Sequence, residues 1–329
     1  MSMAMEDPTP IDPAPARRFG GDRRTRLVGW WSELPGNVRG GLWMLVGGFF
    51  LTVMVALVKI LGARLHITEI LLFRQTIMII VVLPTIAANF PSVLKTSRYG
   101  LHAARVTLAT MAMLFGFTAA IHLPLADATA IGFARSLFVT VFAIIFLKEV
   151  AGPRRWAATL IGFVGVLLML RPGSDAAIST YGLMAVAGTA GAGGVMIILR
   201  ILSRTDRPVT ILTYQALLVG LIMLVPAIWH WQTPTLHEFF MLIGLGVVSW
   251  AGQMCNIQAY RAGEATAVAA IDYTRLIYAV ILGGFIFAQW PGANTLIGAA
   301  IIIAASFYTL HRENVVARKR GLESAKSKD

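Results

Sequence analysis

Ten apolar runs of about 20 residues follow one another along this chain, with short polar or glycine- and proline-bearing stretches between them. They lie near 41–62, 67–88, 101–122, 125–147, 154–171, 181–201, 208–229, 238–259, 265–288 and 293–310. Runs of this length cross a bilayer as helices, and they lack the broad polar face that a soluble surface helix keeps. The fifth and tenth are the shortest. Residues 1–25 are polar and rich in proline and arginine, and read as a disordered tail. Residues 26–39, with Trp30 and Trp31, read as an interfacial segment. No apolar segment with a cleavage site stands at the extreme N-terminus, so no secretory signal is expected. The pattern predicts an all-α, polytopic membrane protein of about ten transmembrane helices, with polar tails over 1–40 and 311–329.

Composition narrows the class further. Hydrophobic residues make up 57% of the 329 residues and charged residues 13%, against roughly 25% charged in a soluble domain. So few charges cannot coat a water-soluble globule of this length. The single cysteine, Cys255, excludes a disulfide framework and a cysteine-based zinc cluster. A net charge of +12 raises nucleic-acid binding as a possibility, but the placement of the charges speaks against it. Of the 28 lysines and arginines, 21 fall in the tails and alternate loops, two (Arg64 and Arg171) in the intervening loops, and five within spans. This positive-inside bias predicts both termini in the cytoplasm of a cell with the chain in its inner membrane. Trp43, Trp156, Trp229, Trp231 and Trp290 fall near span ends, as interfacial rings do, whereas Trp250 falls mid-span.

The chain also repeats itself. Gly41-Leu42 and Gly182-Leu183 open spans 1 and 6; Lys59-Ile60-Leu61 and Arg200-Ile201-Leu202 close them, 141 residues apart in both cases. Asp127-Ala128-Thr129-Ala130 opens span 4 and Glu264-Ala265-Thr266-Ala267 opens span 9. Arg135 precedes Glu149 by 14 residues, and Arg275 precedes Gln289 by 14. Thr159-Leu160-Ile161-Gly162 returns as Thr295-Leu296-Ile297-Gly298. Five spans per half is an odd number, so the second half (172–310) must cross in the opposite sense to the first (41–171). Inverted repeats place a solute site near the midplane, between the halves.

With these motifs, and with Phe146-Leu147-Lys148-Glu149 followed by Gly162-Phe163-Val164-Gly165-Val166, residues 40–310 resemble the drug/metabolite transporter superfamily, specifically its EamA-type members. The resemblance implies ten helices in two five-helix halves and secondary transport of small organic solutes, in either direction, with no shared substrate. In the family the glutamate closing the fourth helix has an acidic counterpart in the second half; here Gln289 stands at that place.

Charge within a span costs at least roughly 2.5–3.5 kcal/mol near the centre, so each such residue needs a reason. Arg135 lies near the middle of span 4 with no acid within four residues either way. It requires a carboxylate from another helix, a wet cavity or an anionic solute; a purely structural pair is the plainer reading. Arg275 lies at similar depth in span 9, with Asp272 three residues earlier on the same face. That pair neutralises itself or lines a cavity opposite Arg135. Ser249, Gln253, Asn256 and Tyr260 form a polar stripe along span 8 beside Trp250, serving either helix packing or solute contact, to which Tyr273 and Tyr278 add. Arg74 is expected to snorkel or to close a gate with Glu69, and Lys59 to snorkel. Asp127 and Glu264 suit helix N-capping. Glu149, beside Lys148, Arg154 and Arg155, suits an interfacial ion-pair cluster or a coupling role. The small-residue run from Gly188 to Gly194 suits close helix packing.

The functional expectation is alternating-access transport of a small solute bearing an anionic group: amino-acid-like, flavin-like or nucleoside-like. Arg135, Asp272, Arg275, Trp250, Gln253, Asn256, Tyr273 and Tyr278 form the candidate solute site, with Arg74 and Glu149 in gating or coupling. The expected partners are the solute and membrane lipids, with a homodimer admissible and no nucleic acid. No cofactor or metal is expected: the sequence lacks a GxxxxGK[ST] loop and an HExxH pair, and His122 and His237 stand alone. An intramembrane lipid-modifying enzyme would need a nucleophile with a base, or paired carboxylates, at one depth. A non-transporting scaffold would leave the inverted repeat unexplained.

Overall fold

The computed structural model describes residues 34–148, 153–170, 176–202, 205–263, 268 and 271–308. Among these residues no strand occurs. The helices are α1 (Gly36–Leu61), α2 (Ile67–Ala88), α3 (Tyr99–His122), α4 (Leu125–Phe133), α5 (Arg135–Leu147), α6 (Pro153–Leu170), α7 (Ala176–Leu202), α8 (Pro208–Trp229), α9 (Leu236–Ala262), α10 (Arg275–Phe287) and α11 (Ala293–Tyr308). They coincide with the ten apolar runs, with α4 and α5 as two parts of the fourth run and α10 as the later part of the ninth. Seven, counting α4 and α5 together, are long and apolar enough to cross a membrane; the apolar parts of α6, α10 and α11 are shorter. Glu149 and Glu264 lie outside the described residues.

Local sequence explains where helices begin and bend. Thr235 and Glu238 form a capping box that starts α9, with the Glu238 amide donating to Thr235 Oγ1 at 3.3 Å and the Thr235 amide donating to Glu238 Oε2 at 2.7 Å. Pro208 takes the first turn of α8, where its missing N–H costs nothing. Pro84 in α2 and Pro226 in α8 stand at matching places in the two halves, each interrupting the ladder near the helix end. The outer surface is apolar: Phe285 is 80% exposed and Val225 69%, which suits lipid and not water.

The helices pair as a twofold exchange of halves requires. α1 packs on α9 and α3 on α7; each of these pairs becomes the other when every helix is replaced by its counterpart. α2 packs on its own counterpart α8, and α4 of the first half packs on α10 of the second. Small residues permit these approaches, the usual means of packing helices in lipid. A Cβ on Gly47 of α1 would meet Cys255 and Asn256 of α9 at 2.9 Å, and one on Gly188 of α7, 141 residues later, would meet the Gly116 amide of α3 at 2.7 Å. Gly165 of α6 and Gly298 of α11 each face the other's carbonyl oxygen, at 2.8 and 2.6 Å from the added Cβ. The matches run in opposite directions along the partner, so paired helices are antiparallel: Gly36 lies by Ala262, Gly40 by Ala259, and Gly252 by Leu51.

Two charged residues have partners that sequence spacing does not reveal. Lys59 does not snorkel. It is buried, and Nζ donates to the carbonyls of Ala120 (3.3 Å), Ile121 (2.9 Å) and Leu123 (2.5 Å), which capture the unsatisfied acceptors at the end of α3. Asp127 is not an N-cap, since Pro124 holds that place; it sits in the first turn of α4 and accepts from Thr295 Oγ1 of α11 at 2.7 Å.

Candidate functional site

Among the described residues the helical ladder breaks in the fourth run and in the ninth, at matching places. Ala134 donates to Ile131 O (3.0 Å) and Leu137 to Ala134 O (3.0 Å); Thr274 donates to Ile271 O (3.0 Å) and Leu276 to Tyr273 O (3.1 Å). These are tight three-residue turns set into longer helices. Each break is followed by an arginine that opens a 13-residue helix, Arg135 for α5 and Arg275 for α10. Each of those helices is closed by a residue in the left-handed conformation, Lys148 and Ala288. At the breaks themselves Phe133 and Tyr273, 140 residues apart, touch edge to face with ring centres 4.9 Å apart. The two halves thus meet at equivalent residues, each two positions before its arginine.

Beside this contact lies a cavity of about 440 Å³. Four of the residues singled out in the sequence line it: Arg135, Asp272, Arg275 and Gln253. Arg275 Nη1 lies 3.6 Å from Asp272 Oδ1, an ion pair too long to be a hydrogen bond; Oδ1 and Arg275 Nε are buried without a hydrogen-bond partner. The stem of Arg275 passes α1 where only a glycine fits: a Cβ on Gly48 would lie 2.8 Å from its Cγ. Arg135 is exposed to the cavity, and no hydrogen bond or ion pair holds its guanidinium among the described residues. The Gly188–Gly194 run both packs on α3 and opens the cavity, since Gly188, Thr189 and Ala192 line it.

Four other candidates are placed elsewhere. Trp250 lines a separate apolar pocket of about 30 Å³, shared with Gln253. Asn256 faces Gly47 at the α1–α9 crossing. Tyr273 lies beside Ser136 and Ser306, whose hydroxyls are hydrogen-bonded to each other at 2.6 Å, and Tyr278 stacks edge to face on Phe49. The stripe on α9 therefore divides among neighbours. Ser249 accepts from Arg74 Nε at 3.2 Å and donates to Leu245 O. Arg74 neither snorkels nor pairs with Glu69. It is buried against Gln75 Oε1 (3.1 Å) and lies over the Phe117 ring, while Glu69 accepts from the Gln232 amide at 3.3 Å. The cavity wall also includes polar groups that sequence reasoning did not single out, Arg105 of α3 and Thr129 and Thr189 of α4 and α7.

Matching loops pin the two ends of the bundle with different chemistry. At one end the α1–α2 turn meets the α8–α9 loop: Arg64 Nε donates to Glu238 Oε1 at 2.6 Å and His66 stacks on His230 with ring centres 4.2 Å apart. Burial and the His230 charge hold the His66 imidazole below its ordinary value. At the other end the α7–α8 loop meets the α2–α3 loop. Asp206 Oδ2 accepts from Thr96 Oγ1 (2.6 Å) and lies 2.7 Å from His102 Nε2. Burial pushes the Asp206 carboxyl up, but hydrogen bonds from Thr96, His102 and Thr205 outweigh it and hold the group below its ordinary value.

The chain is 31% identical over 266 residues to an S-adenosylmethionine uptake transporter of Rickettsia bellii, covering 80% of this chain and 90% of the relative. It is 29% identical to a riboflavin transporter of Brucella anthropi, over 78% of this chain and 93% of the relative. It is also 29% identical to a pseudopaline exporter of Pseudomonas aeruginosa, over 81% and 94%. A solved crystal structure shares the fold at 17% identity, with a TM-score of 0.58 over 84% of this chain and 97% of the other. The profile of the EamA-like transporter family matches residues 38–171 and again residues 180–310. Matched in tandem over nearly all its helices, the chain belongs to the EamA-like transporter family and is a multi-pass membrane transporter of small molecules.

Proposed function

We propose that the chain moves a small organic solute bearing an anionic group by alternating access, as two inverted repeats (41–171 and 172–310) in the cell inner membrane with both termini cytoplasmic. The observation that carries this reading is the pair of helix breaks, which sets Arg135 and Arg275 on the wall of one cavity beside the contact between the halves. A helix break in a membrane protein is tolerated where it lines a cavity, and such breaks are the usual seat of solute binding in repeat-built transporters. Arg135, which no carboxylate pairs among the described residues, is the primary anion-binding group. The long Asp272–Arg275 pair is a second cation already half committed, and Gln253 supplies a neutral hydrogen-bonding edge. Arg74 serves as a positioning residue behind Met113 and Phe117, both of which line the cavity. Glu149 is retained as a coupling candidate on its sequence position alone.

The test is solute uptake and efflux in proteoliposomes, with S-adenosylmethionine, riboflavin and amino-acid-like acids as the panel. Arg135→Gln is expected to abolish transport of whichever acidic solute the wild type moves, and Arg135→Lys to retain part of it. Unchanged transport by Arg135→Gln for every solute moved would remove the site assignment.

A further inference from the structure

The charges on the cavity wall do not balance. Arg105 of α3, Arg135 of α5 and Arg275 of α10 all line it, and Asp272 is the only acid among the described lining residues. Three cations against one anion leave two positive charges in excess. Arg135 accounts for one. The other belongs to Arg105, on a different helix and a different wall.

Arg105 is built in, with only 4% of its surface exposed. Nη2 donates to Gln215 Oε1 of α8 at 2.6 Å and Nη1 to the Ile211 carbonyl at 3.4 Å, while Nε is buried without a partner. Both of its partners are neutral. Asp206, in the loop before α8, is already engaged by Thr96 and by His102, which stands one turn before Arg105 on α3. A guanidinium desolvated against neutral acceptors is an expensive arrangement, because breaking or omitting one partner of a buried ion pair leaves an uncompensated charge. The planar guanidinium fork is also the group that receives a carboxylate or phosphate through two parallel hydrogen bonds. Gln215 lines the cavity beside Arg105, so an incoming acid group can take over the Nη2 donor while Gln215 stays in reach.

We propose that Arg105 and Gln215 form a second anion-recognising subsite, so that the transported solute carries two acidic groups, one met by Arg105 and the other by Arg135. This rests on the reading of the cavity as the solute site. It specifies that reading: a solute with a single acidic group leaves one wall cation unpaired and binds more weakly than its diacid counterpart.

The experiment measures solute-induced stabilisation of the purified protein in mild detergent. The probes are a ladder of α,ω-dicarboxylates of increasing chain length and the matched monocarboxylates, with riboflavin and S-adenosylmethionine as the solutes of relatives. Wild type is expected to prefer the diacid of one chain length over its monoacid by about tenfold. Arg105→Gln is expected to erase that preference by lowering diacid affinity about tenfold, with the cooperative melt of the empty variant showing that it is folded. Arg105→Lys is expected to keep part of the preference, and Arg135→Gln to weaken diacids and monoacids alike. An undiminished diacid preference in Arg105→Gln, or no diacid preference in wild type, overturns the subsite. If monoacids still bind in an Arg135-dependent manner, only the subsite falls. If no acid binds while riboflavin or S-adenosylmethionine does, the anionic reading of the whole cavity falls with it.

Discussion

The break at Arg135 and the break at Arg275 share one backbone device, yet only the second carries its own counter-charge. Both have the tight turn, the arginine that follows it, the 13-residue helix and the left-handed residue at its end. In the second half, position 272 is an aspartate; in the first, the corresponding position is Gly132. The duplicated architecture therefore supplies a symmetric frame, and single side chains make the site asymmetric. In the proposed site a solute would meet one open cation, Arg135, and one already partly answered, Arg275. The loops at the two ends show the same division, with an exposed Arg64–Glu238 pair at one end and the buried Asp206–His102 contact at the other.

The sharpest way to break this comparison is to remove the open cation. Arg135→Gln should lower transport of an acidic solute by at least about 30-fold, since truncating one side of a hydrogen-bonded charge pair costs about 2–5 kcal/mol. Arg275→Gln should cost less, because Asp272 already answers part of that charge. Asp272→Asn should act in the opposite direction on binding. It frees Arg275 and should tighten anionic solutes by roughly three- to tenfold, while lowering the melting temperature of the empty protein; weaker anion binding would mean that Asp272 itself contacts the solute.

The two ends should then separate by pH. His66 is held below its ordinary 6.5, so the unfolded chain binds its proton more readily and stability falls as pH drops below that value. Asp206 is held below its ordinary 3.8, so its contribution is whole above that value and lost only as pH falls through the lower, folded one. Amide exchange in the 62–66 and 230–235 loops should therefore rise in mild acid, with residues 205–207 still protected. Asp206→Asn should lower the melting temperature at pH 7 and lose that difference in the carboxylate range. The smallest effect belongs to Arg64→Ala. Its pair with Glu238 is exposed, and added salt should remove most of whatever the substitution costs.

Much of the fold is legible in the sequence because lipid imposes a simple rule, a helix-length apolar run for each crossing. Each of the ten runs holds a helix among the described residues. The breaks are not legible, since Ile131-Gly132-Phe133-Ala134 and Ile271-Asp272-Tyr273-Thr274 contain no proline, and hydrophobic periodicity is blind to a single three-residue turn. The polar stripe shows the limit of spacing arguments. Ser249, Gln253 and Asn256 share a helix face, yet they meet Arg74, the cavity and Gly47 in turn, because the neighbours change along the helix. Arg105 carries the same signal as Arg135, no acid within four residues on its helix, but its nearness to the helix start makes it resemble an interfacial cation. Lys59 misleads in the other direction: its place at a span end suggests water, while the carbonyls it captures belong to α3.

The central claim is that Arg135 is the open cation of the solute site. It is tested most directly by the melting temperature of wild type and Arg135→Gln with and without an acidic solute that the wild type transports. A solute at about 100 times its Kd should stabilise the wild type by roughly 2.7 kcal/mol. The account predicts that this stabilisation disappears in Arg135→Gln while the empty variant melts close to the empty wild type. An equal shift in both proteins would contradict it and move the solute site away from the break in the first half.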